Sequence, residues 1–194
     1  MAGGKKNAAR LNASLVFLDE AGFLMAPLVR RSWSPCGRTP RFYQRGRCLR
    51  KVSAIGVLVV PPARDRVHCY FRLHPDANVN GLLVVAFLRE LQRQLKTPIM
   101  LLWDRLRAHR SEEVKSYLQH TPAIRSIFFP PYAPELNPVE QIWGYTKRNQ
   151  LANHAALDLD ILASAARQAL RSVQCRPSLL HSFLAHSPLF LRLK

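Results

Sequence analysis

The chain has 194 residues, of which 48% are hydrophobic, and a formal net charge of +17 from 29 Lys and Arg against 12 Asp and Glu. This length and apolar content are sufficient for one domain with a buried core, which excludes an intrinsically disordered chain. Residues 1–51 carry 11 positive and 2 negative side chains, and charge distributed so unevenly favours nucleic acid as the partner.

The N-terminal region predicts a flexible arm followed by the first strand of a folded domain. Residues 1–12 are basic and lack hydrophobic periodicity, so we expect a flexible arm there and a domain that spans residues 13–194. Residues 15–18 form a short apolar run, typical of a central strand, that ends in Asp19 and Glu20. The first strand is therefore expected to carry two carboxylates at its end.

An irregular segment and a hairpin are predicted next. Residues 23–51 alternate basic, aromatic, Pro and Gly residues, which predicts an excursion that can lie along a phosphate backbone. Residues 52–60 and 66–73 are rich in β-branched and aromatic residues, as expected of two hairpin strands. The arginines of the irregular segment that we expect to bind nucleic acid are Arg30, Arg31, Arg38 and Arg41.

Helices and buried strands alternate in the next part of the chain. Residues 80–95 predict a core-packing helix, and its apolar face repeats every four residues as Leu83, Phe87, Leu91 and Leu95. Residues 99–103 then predict a buried strand that ends at Asp104, followed by a helix that Ser111 caps.

The remaining elements complete a mixed α/β pattern. Residues 124–129 predict a last strand, and a proline-dense connection leads to a helix at about residues 139–150, with Asn137 as its cap and Pro138 at its first position. Residues 157–173 predict a final amphipathic helix. This order indicates an α/β fold with a ribonuclease-H-like mixed five-stranded sheet flanked by helices.

Cysteine usage and hydropathy argue against export. The four cysteines show no C-x-x-C pair and no neighbouring His at zinc-ligand spacing, so neither a disulfide nor a structural zinc is expected. The apolar runs are far shorter than the roughly 20 residues of a membrane helix, and the polar start does not resemble a signal peptide. We expect a protein of a reducing cytoplasm without a membrane partner.

Three acidic residues indicate metal chemistry. Asp19 and Asp104 each follow a buried strand, although ordinary solvation at a strand end explains one such residue, and the helix dipole explains Glu140 in a first helical turn. Three converging carboxylates, however, repel one another unless they share a hard cation such as Mg²⁺. Two such ions ~4 Å apart activate a water or a 3′ hydroxyl for in-line attack on a phosphodiester.

Three sequence blocks resemble one known family. FLDEAGF, LLWDRLRAHRS and FFPPYAPELNPVEQIWGYTK are similar to the DDE superfamily endonuclease domain of bacterial insertion-sequence transposases in the mariner superfamily. The last block is the most specific, and 35 residues separate Asp104 from Glu140. The resemblance covers nearly the whole chain after the basic arm.

The resemblance implies a DNA transposase catalytic domain with Asp19, Asp104 and Glu140 as catalytic residues and metal ligands. Similar proteins hydrolyse the ends of a mobile element and join the freed 3′ hydroxyls to target DNA. The implied cofactor is Mg²⁺, with two ions expected and Mn²⁺ as a substitute. The implied partners are double-stranded DNA, both transposon ends and target, and a second copy of the chain in a homodimer on DNA.

Other polar residues are expected to support this site. Glu20 should point away from Asp19 in an extended strand, and Glu135 lies in the proline-rich connection; with Asn137 they are expected near the metal without binding it directly. His109 follows Asp104 by five residues. It either orients a phosphate or a water, or makes a capping contact at a helix start.

Basic and aromatic side chains flank the predicted site. The cations expected to contact DNA phosphates there are Arg105, Arg107, Arg110, Lys147 and Arg148. Stacking on bases is one role for the nearby aromatic residues, but packing against the protein is favoured for Trp33, Tyr43, Tyr132 and Trp143, the last of these in the core.

Two features differ from the family pattern. Arg105 stands where the wider superfamily usually has Asn after the second Asp. Full-length relatives carry helix-turn-helix modules ahead of the catalytic domain, so we expect DNA-end recognition from a separate N-terminal polypeptide, with this chain either one frame of a split transposase or a truncated remnant. The alternative functions are a non-catalytic DNA-binding remnant and a ribonuclease or junction resolvase on the same architecture.

Overall fold

A computed structural model of the chain describes residues 12–26, 28–41 and 50–189. The expected basic arm lies outside the described residues except for Asn12, and so do Tyr43 and Cys48. The other three cysteines, Cys36, Cys69 and Cys175, are free thiols.

The described residues form one mixed sheet of five strands in the order β3-β2-β1-β4-β5. β1 pairs antiparallel with β2 and parallel with β4, β2 pairs antiparallel with β3, and β4 pairs parallel with β5. The expected mixed five-stranded sheet is confirmed. Its strands are β1 (Ser14–Leu24), β2 (Lys51–Val60), β3 (His68–Pro75), β4 (Ile99–Trp103) and β5 (Ile124–Phe128).

Helices cover both faces of this sheet and bury a separate core on each. Side chains alternate along β1, so that Val16 and Leu18 pack with α1 and α2, while Leu15 and Phe17 pack with α3, α4 and α5. Among the described helices none is long and apolar enough to cross a membrane. The helices are α1 (Gly81–Leu95), α2 (Glu112–Gln119), α3 (Val139–Tyr145), α4 (Leu159–Gln174) and α5 (Pro177–Ala185).

The first strand is longer than the apolar run predicts. It continues through Asp19 and Glu20 because β2 pairs along its whole length, up to Leu24 opposite Lys51. The pairing with β4, in contrast, stops at Phe17 opposite Leu102. The prediction that the first strand ends in Asp19 and Glu20 is therefore wrong, but Asp19 does lie just beyond the point where β4 ends.

Helix starts differ from the predictions in detail. Asn80 caps α1 by accepting a hydrogen bond from the Leu83 amide at 3.0 Å. Of the predicted apolar face, Phe87 and Leu91 are buried, whereas Leu83 and Leu95 are only partly buried. The other buried side chains of the helix are Val84, Val85 and Leu88. Ser111 precedes α2 without making the predicted side-chain capping bond. A 3-10 turn, Arg107–Arg110, leads into this helix instead.

The C-terminal helices also shift. Pro138 lies one residue ahead of α3, not at its first position, and after Tyr145 the helix continues as a π-helical turn, Thr146–Gln150. The final predicted helix is found as α4, where the Asp158 side chain accepts from the Ile161 amide at 2.8 Å. The short helix α5 was not predicted, because its nine residues are too few to show a clear period.

Candidate active site

The three acids singled out by the sequence line one cleft of about 460 Å³. Asp19 comes from β1, Asp104 directly follows β4, and Glu140 is in the first turn of α3. The proline-rich connection between β5 and α3 closes one side of this cleft, and Arg105 and Asn137 also line it. The structure therefore brings together three carboxylates that are far apart in the sequence.

Asp19 is the most deeply placed of these acids, with only 7% of its surface exposed. Its Oδ2 accepts a 3.0 Å hydrogen bond from Trp143 Nε1. Burial, and then the neighbouring charges of Glu140, Glu20 and Asp104, raise the pKa of Asp19 to about 8. With no cation in the cleft, this carboxyl group holds its proton at neutral pH.

A glycine allows Trp143 to reach Asp19. Gly56 on β2 is the cross-strand partner of Asp19, and a Cβ atom at Gly56 would stand 2.5 Å from the Trp143 ring. Phe23 packs edge-on against the same ring, with centroids 6.2 Å apart. The expected core position of Trp143 is confirmed, but its hydrogen bond to Asp19 was missed; a glycine inside an apolar strand is the signal that could have suggested a close approach.

Asn137 connects the two elements that carry Asp19 and Glu140. Its buried side chain donates from Nδ2 to the Leu18 carbonyl at 3.0 Å, and its Oδ1 accepts from the Val139 amide at 3.3 Å. The first bond fixes the residue before Asp19, and the second fixes the residue before Glu140. Asn137 thus positions both acids.

His109 lies between Asp104 and Glu20. Its Nδ1 is 2.8 Å from Asp104 Oδ1, its Nε2 is 2.6 Å from Glu20 Oε1, and its ring stacks on Trp103 with centroids 4.3 Å apart. Burial alone would lower the pKa of His109, but the hydrogen bonds to Asp104 and Glu20 outweigh it and raise the pKa to about 9. His109 is therefore an imidazolium that donates to both carboxylates.

This arrangement decides which groups are available to a metal ion. Glu20, Asp104 and His109 place ligand atoms within 4.8 Å of one another, but a cation there would have to displace a proton from His109, whose pKa is raised to about 9. Asp104 uses Oδ1 to accept from His109 and from the Leu106 amide at 2.9 Å. Its Oδ2 and Asp19 Oδ1 accept no hydrogen bond from the described residues, which favours a cation between Asp19, Asp104 and Glu140.

Glu20 and Glu135 do not line the cleft. Because side chains alternate along β1, Glu20 points to the α1 and α2 face, where His109 binds it, and Asp19 points to the α3 face. Glu135 is exposed in a 3-10 turn, Pro134–Leu136, and does not line the cleft.

The expected DNA-binding cations are spread over several places. Arg105 lines the cleft, whereas Arg107 and Arg110 line a neighbouring groove. Lys147 lies 5.7 Å from the Phe23 ring centroid and lines a different cavity from that of the acids. Arg148 is in the π-helical turn, and its carbonyl accepts a 2.7 Å hydrogen bond from the Arg30 guanidinium. The exposed segment 28–41 contains the remaining cations, Arg30, Arg31, Arg38 and Arg41.

Two aromatic predictions are wrong. Trp33 and Tyr132 do not pack against the protein but are fully exposed, at 100% and 102% of their reference areas. Tyr132 has a left-handed backbone conformation, with φ of 57°, in the proline-rich connection. The exposed ring lies at the rim of the cleft.

Comparison with known sequences gives one family. A family model described as DDE superfamily endonuclease matches residues 14–163. The insertion element IS630 uncharacterized 39 kDa protein of Shigella sonnei is 30% identical over 101 residues, which are 50% of this chain and 29% of that protein. The chain thus spans less than a third of this curated relative.

Solved structures of Mos1 share the fold. The Mos1 strand transfer complex superposes with a TM-score of 0.57 at 16% identity, over 97% of this chain and 59% of the Mos1 chain. The mariner Mos1 paired end complex with Mg gives a TM-score of 0.59 at 17% identity, over 89% of this chain and 52% of the Mos1 chain. The catalytic domain of Mos1 mariner transposase gives 0.52 at 13% identity, over 98% and 89%. This likeness confirms the expected ribonuclease-H-like architecture.

Proposed function

The chain belongs to the DDE superfamily endonucleases, and from that premise we propose that it is the catalytic domain of a DNA transposase. It hydrolyses phosphodiester bonds at the ends of a mobile element and joins the freed 3′ hydroxyls to target DNA. The observation that carries this proposal is the convergence of Asp19, Asp104 and Glu140 in one cleft. Asp19 is buried there beside other acids, where a carboxylate is unfavourable unless a cation compensates it.

The donor set fits a hard divalent cation. Carboxylate oxygens are the ligands that Mg²⁺ prefers, and we infer two Mg²⁺ ions, which Mn²⁺ can replace, held by Asp19, Asp104 and Glu140. When bound, such ions activate the attacking oxygen and stabilise the leaving one. The likeness to a Mos1 complex with Mg agrees with this choice of metal.

The surrounding residues orient the acids and receive the DNA. Trp143 and His109 each bind one carboxylate oxygen and so direct the other oxygen of Asp19 and Asp104 into the cleft. Arg105, at the cleft wall, binds a phosphate of the strand to be cut. The exposed ring of Tyr132 offers a surface on which a base next to the cut can stack.

The partners follow from this activity. Double-stranded DNA binds as transposon end and as target, and two copies of the chain act together as a homodimer on DNA. A helix-turn-helix module recognises the element ends. The reaction takes place on DNA of the bacterial nucleoid, in the cytoplasm.

A nicking assay tests the proposal. Purified protein is incubated with supercoiled plasmid and Mg²⁺, Mn²⁺ or EDTA, in parallel with Asp19→Asn, Asp104→Asn and Glu140→Gln. We expect metal-dependent nicking by the wild type and a loss of about 100-fold or more in each variant, because these acids bind the metal directly and even residues that only support metal ligands contribute about 10–100-fold.

Glu135→Gln is the matched control, because Glu135 is an exposed acid of the same segment outside the cleft. It should nick like the wild type, and thermal unfolding should show that all variants fold. Nicking at the wild-type rate by the folded Asp19, Asp104 and Glu140 variants rejects the assignment of these acids as catalytic residues. Metal-independent binding without nicking indicates a DNA-binding remnant instead.

A further inference from the structure

A second groove, of about 920 Å³, lies beside the cleft. The 3-10 turn Arg107–Arg110, helix α2 and the edge strand β5 form its walls. Its lining contains no carboxylate. The polar side chains that face it include Arg107, Arg110, Lys115, Gln119 and Ser126.

The charges of this groove are largely uncompensated. Arg107 and Arg110 are exposed, and within residues 12–26, 28–41 and 50–189 neither has a carboxylate in ion-pair distance. Lys115 pairs with Glu112 at 3.1 Å, but both side chains are exposed, so that water and salt screen this pair. The groove therefore presents positive charge to an anionic ligand.

Arg105 and Phe128 bring the groove next to the cleft. Arg105 lines the cleft, and its guanidinium lies 5.8 Å from the centroid of the Phe128 ring, which lines the groove. Arg107 follows two residues later on the groove side. A row of cations thus leads from the proposed catalytic acids, past Phe128, to Arg110 and Lys115.

We propose that this groove binds the phosphate backbone of the duplex whose scissile phosphate lies in the cleft, as that DNA leaves the cleft past Arg105. The inference rests on the proposed function for the position of the scissile phosphate. A polyanion with regularly spaced charges fits a groove that offers several cations and no acid.

The salt dependence of DNA binding tests this inference. The affinity of the 194-residue chain for a fluorescent 30-base-pair duplex is measured by anisotropy without divalent metal, at several salt concentrations. Each lost phosphate contact lowers the slope of log K against log salt by ~0.9. Arg107→Ala with Arg110→Ala should therefore lower the slope by about 1.8.

A matched pair of arginines controls for net charge. Arg167→Ala with Arg171→Ala removes two exposed arginines of α4, which packs on the opposite face of the sheet. This control should keep the wild-type slope, and Arg107→Lys with Arg110→Lys should keep most of it. Thermal unfolding confirms that each variant is folded.

The outcomes separate this inference from the proposed function. The groove is rejected as a DNA-binding site if the groove variant has the same slope as the wild type. It is also rejected if both alanine pairs lower the slope equally. If the wild type binds two duplexes per chain and the groove variant binds one, the groove holds a separate duplex. That result overturns the proposal that one duplex occupies both cleft and groove. If the wild type does not nick DNA but the groove variant still has a smaller slope than the wild type, the proposed function is rejected and the groove remains a DNA-binding site.

Discussion

The protonation state of Asp19 depends on what occupies the cleft. Its pKa is raised to about 8, first by burial and then by the charges of Glu140, Glu20 and Asp104. A metal ion binds the ionised form, so below pH 8 the ion must displace a proton from Asp19. Metal affinity should therefore rise as the pH rises towards 8 and become constant above it.

Isothermal titration of the wild type with Mg²⁺ between pH 6 and pH 9 measures this coupling. We expect the dissociation constant to fall by up to about tenfold per pH unit below pH 8. Asp19→Asn has no proton to release at this position, and it should bind weakly with a much flatter pH profile. A wild-type affinity that is constant from pH 6 to pH 8 would contradict the assignment of Asp19 as a ligand.

His109 provides a second prediction at the scale of single residues. Its imidazolium neutralises Glu20, whose side chain is only 10% exposed, and also binds the half-exposed Asp104. Removing one partner of a buried ion pair leaves a charge without compensation. Because Asp104 is half exposed, His109→Ala should cost about 2–3 kcal/mol at pH 7, below the range for a fully buried pair.

A double-mutant cycle measures this coupling by urea unfolding. In the Glu20→Gln background no buried charge remains at that position, so His109→Ala should cost clearly less there. Equal costs in both backgrounds would mean that stacking on Trp103, and not the ion pair, determines the effect of His109.

At the scale of elements, the close packing of β2 against α3 positions Asp19. Gly56→Ala would place a methyl group 2.5 Å from the Trp143 ring, so the ring must move and its hydrogen bond to Asp19 must weaken. We expect a stability loss of about 1–3 kcal/mol from overpacking, together with a loss of nicking activity larger than unfolding explains.

Gly22→Ala is the control in the same pair of strands. A Cβ atom at Gly22 would meet only the Lys51 side chain, at 3.5 Å, which is an ordinary contact. This variant should keep both stability and activity. Wild-type nicking by folded Gly56→Ala would show that the Trp143 bond to Asp19 is dispensable.

Element positions were predictable where the pattern is local. The apolar runs of β2 and β4 and the periodic helices α1 and α4 are visible in the sequence. The length of β1 was not, because polar Asp19 and Glu20 continue the strand only through pairing with β2. The 3-10 turn Arg107–Arg110 was also missed, because it depends on tertiary contacts of His109, whereas α2 does begin directly after Ser111 as predicted.

At the scale of the whole molecule, the sequence predicted which acids share a cleft but not what holds them. The three-acid pattern follows from family resemblance and from the buried strands that precede Asp19 and Asp104. The bonds between Trp143 and Asp19 and between His109 and Glu20 join residues 124 and 89 positions apart. Such pairs depend on the final packing of α3 and the 3-10 turn, which local patterns do not encode.

A long-range connection also ties the exposed segment 28–41 to the C-terminal half of the domain. Asn153 accepts at Oδ1 from the Arg30 amide at 2.8 Å and donates from Nδ2 to the Arg30 carbonyl at 3.0 Å. Its own amide donates to the Leu28 carbonyl at 3.0 Å. Within the described part of the segment, these bonds and that of the Arg30 guanidinium to Arg148 fix its start.

Removing the Asn153 side chain should therefore release this segment while the core stays intact. Asn153 has φ of 58°, so Asn153→Gly keeps the backbone conformation and removes only the two side-chain bonds. Hydrogen exchange followed by mass spectrometry should show faster exchange at residues 28–31 and unchanged exchange in β1, β2 and β4. Because Arg31, Arg38 and Arg41 belong to this segment, DNA affinity should also fall several-fold. Unchanged exchange at residues 28–31 would mean that the bonds of Leu28 and the Arg30 guanidinium hold the segment without Asn153.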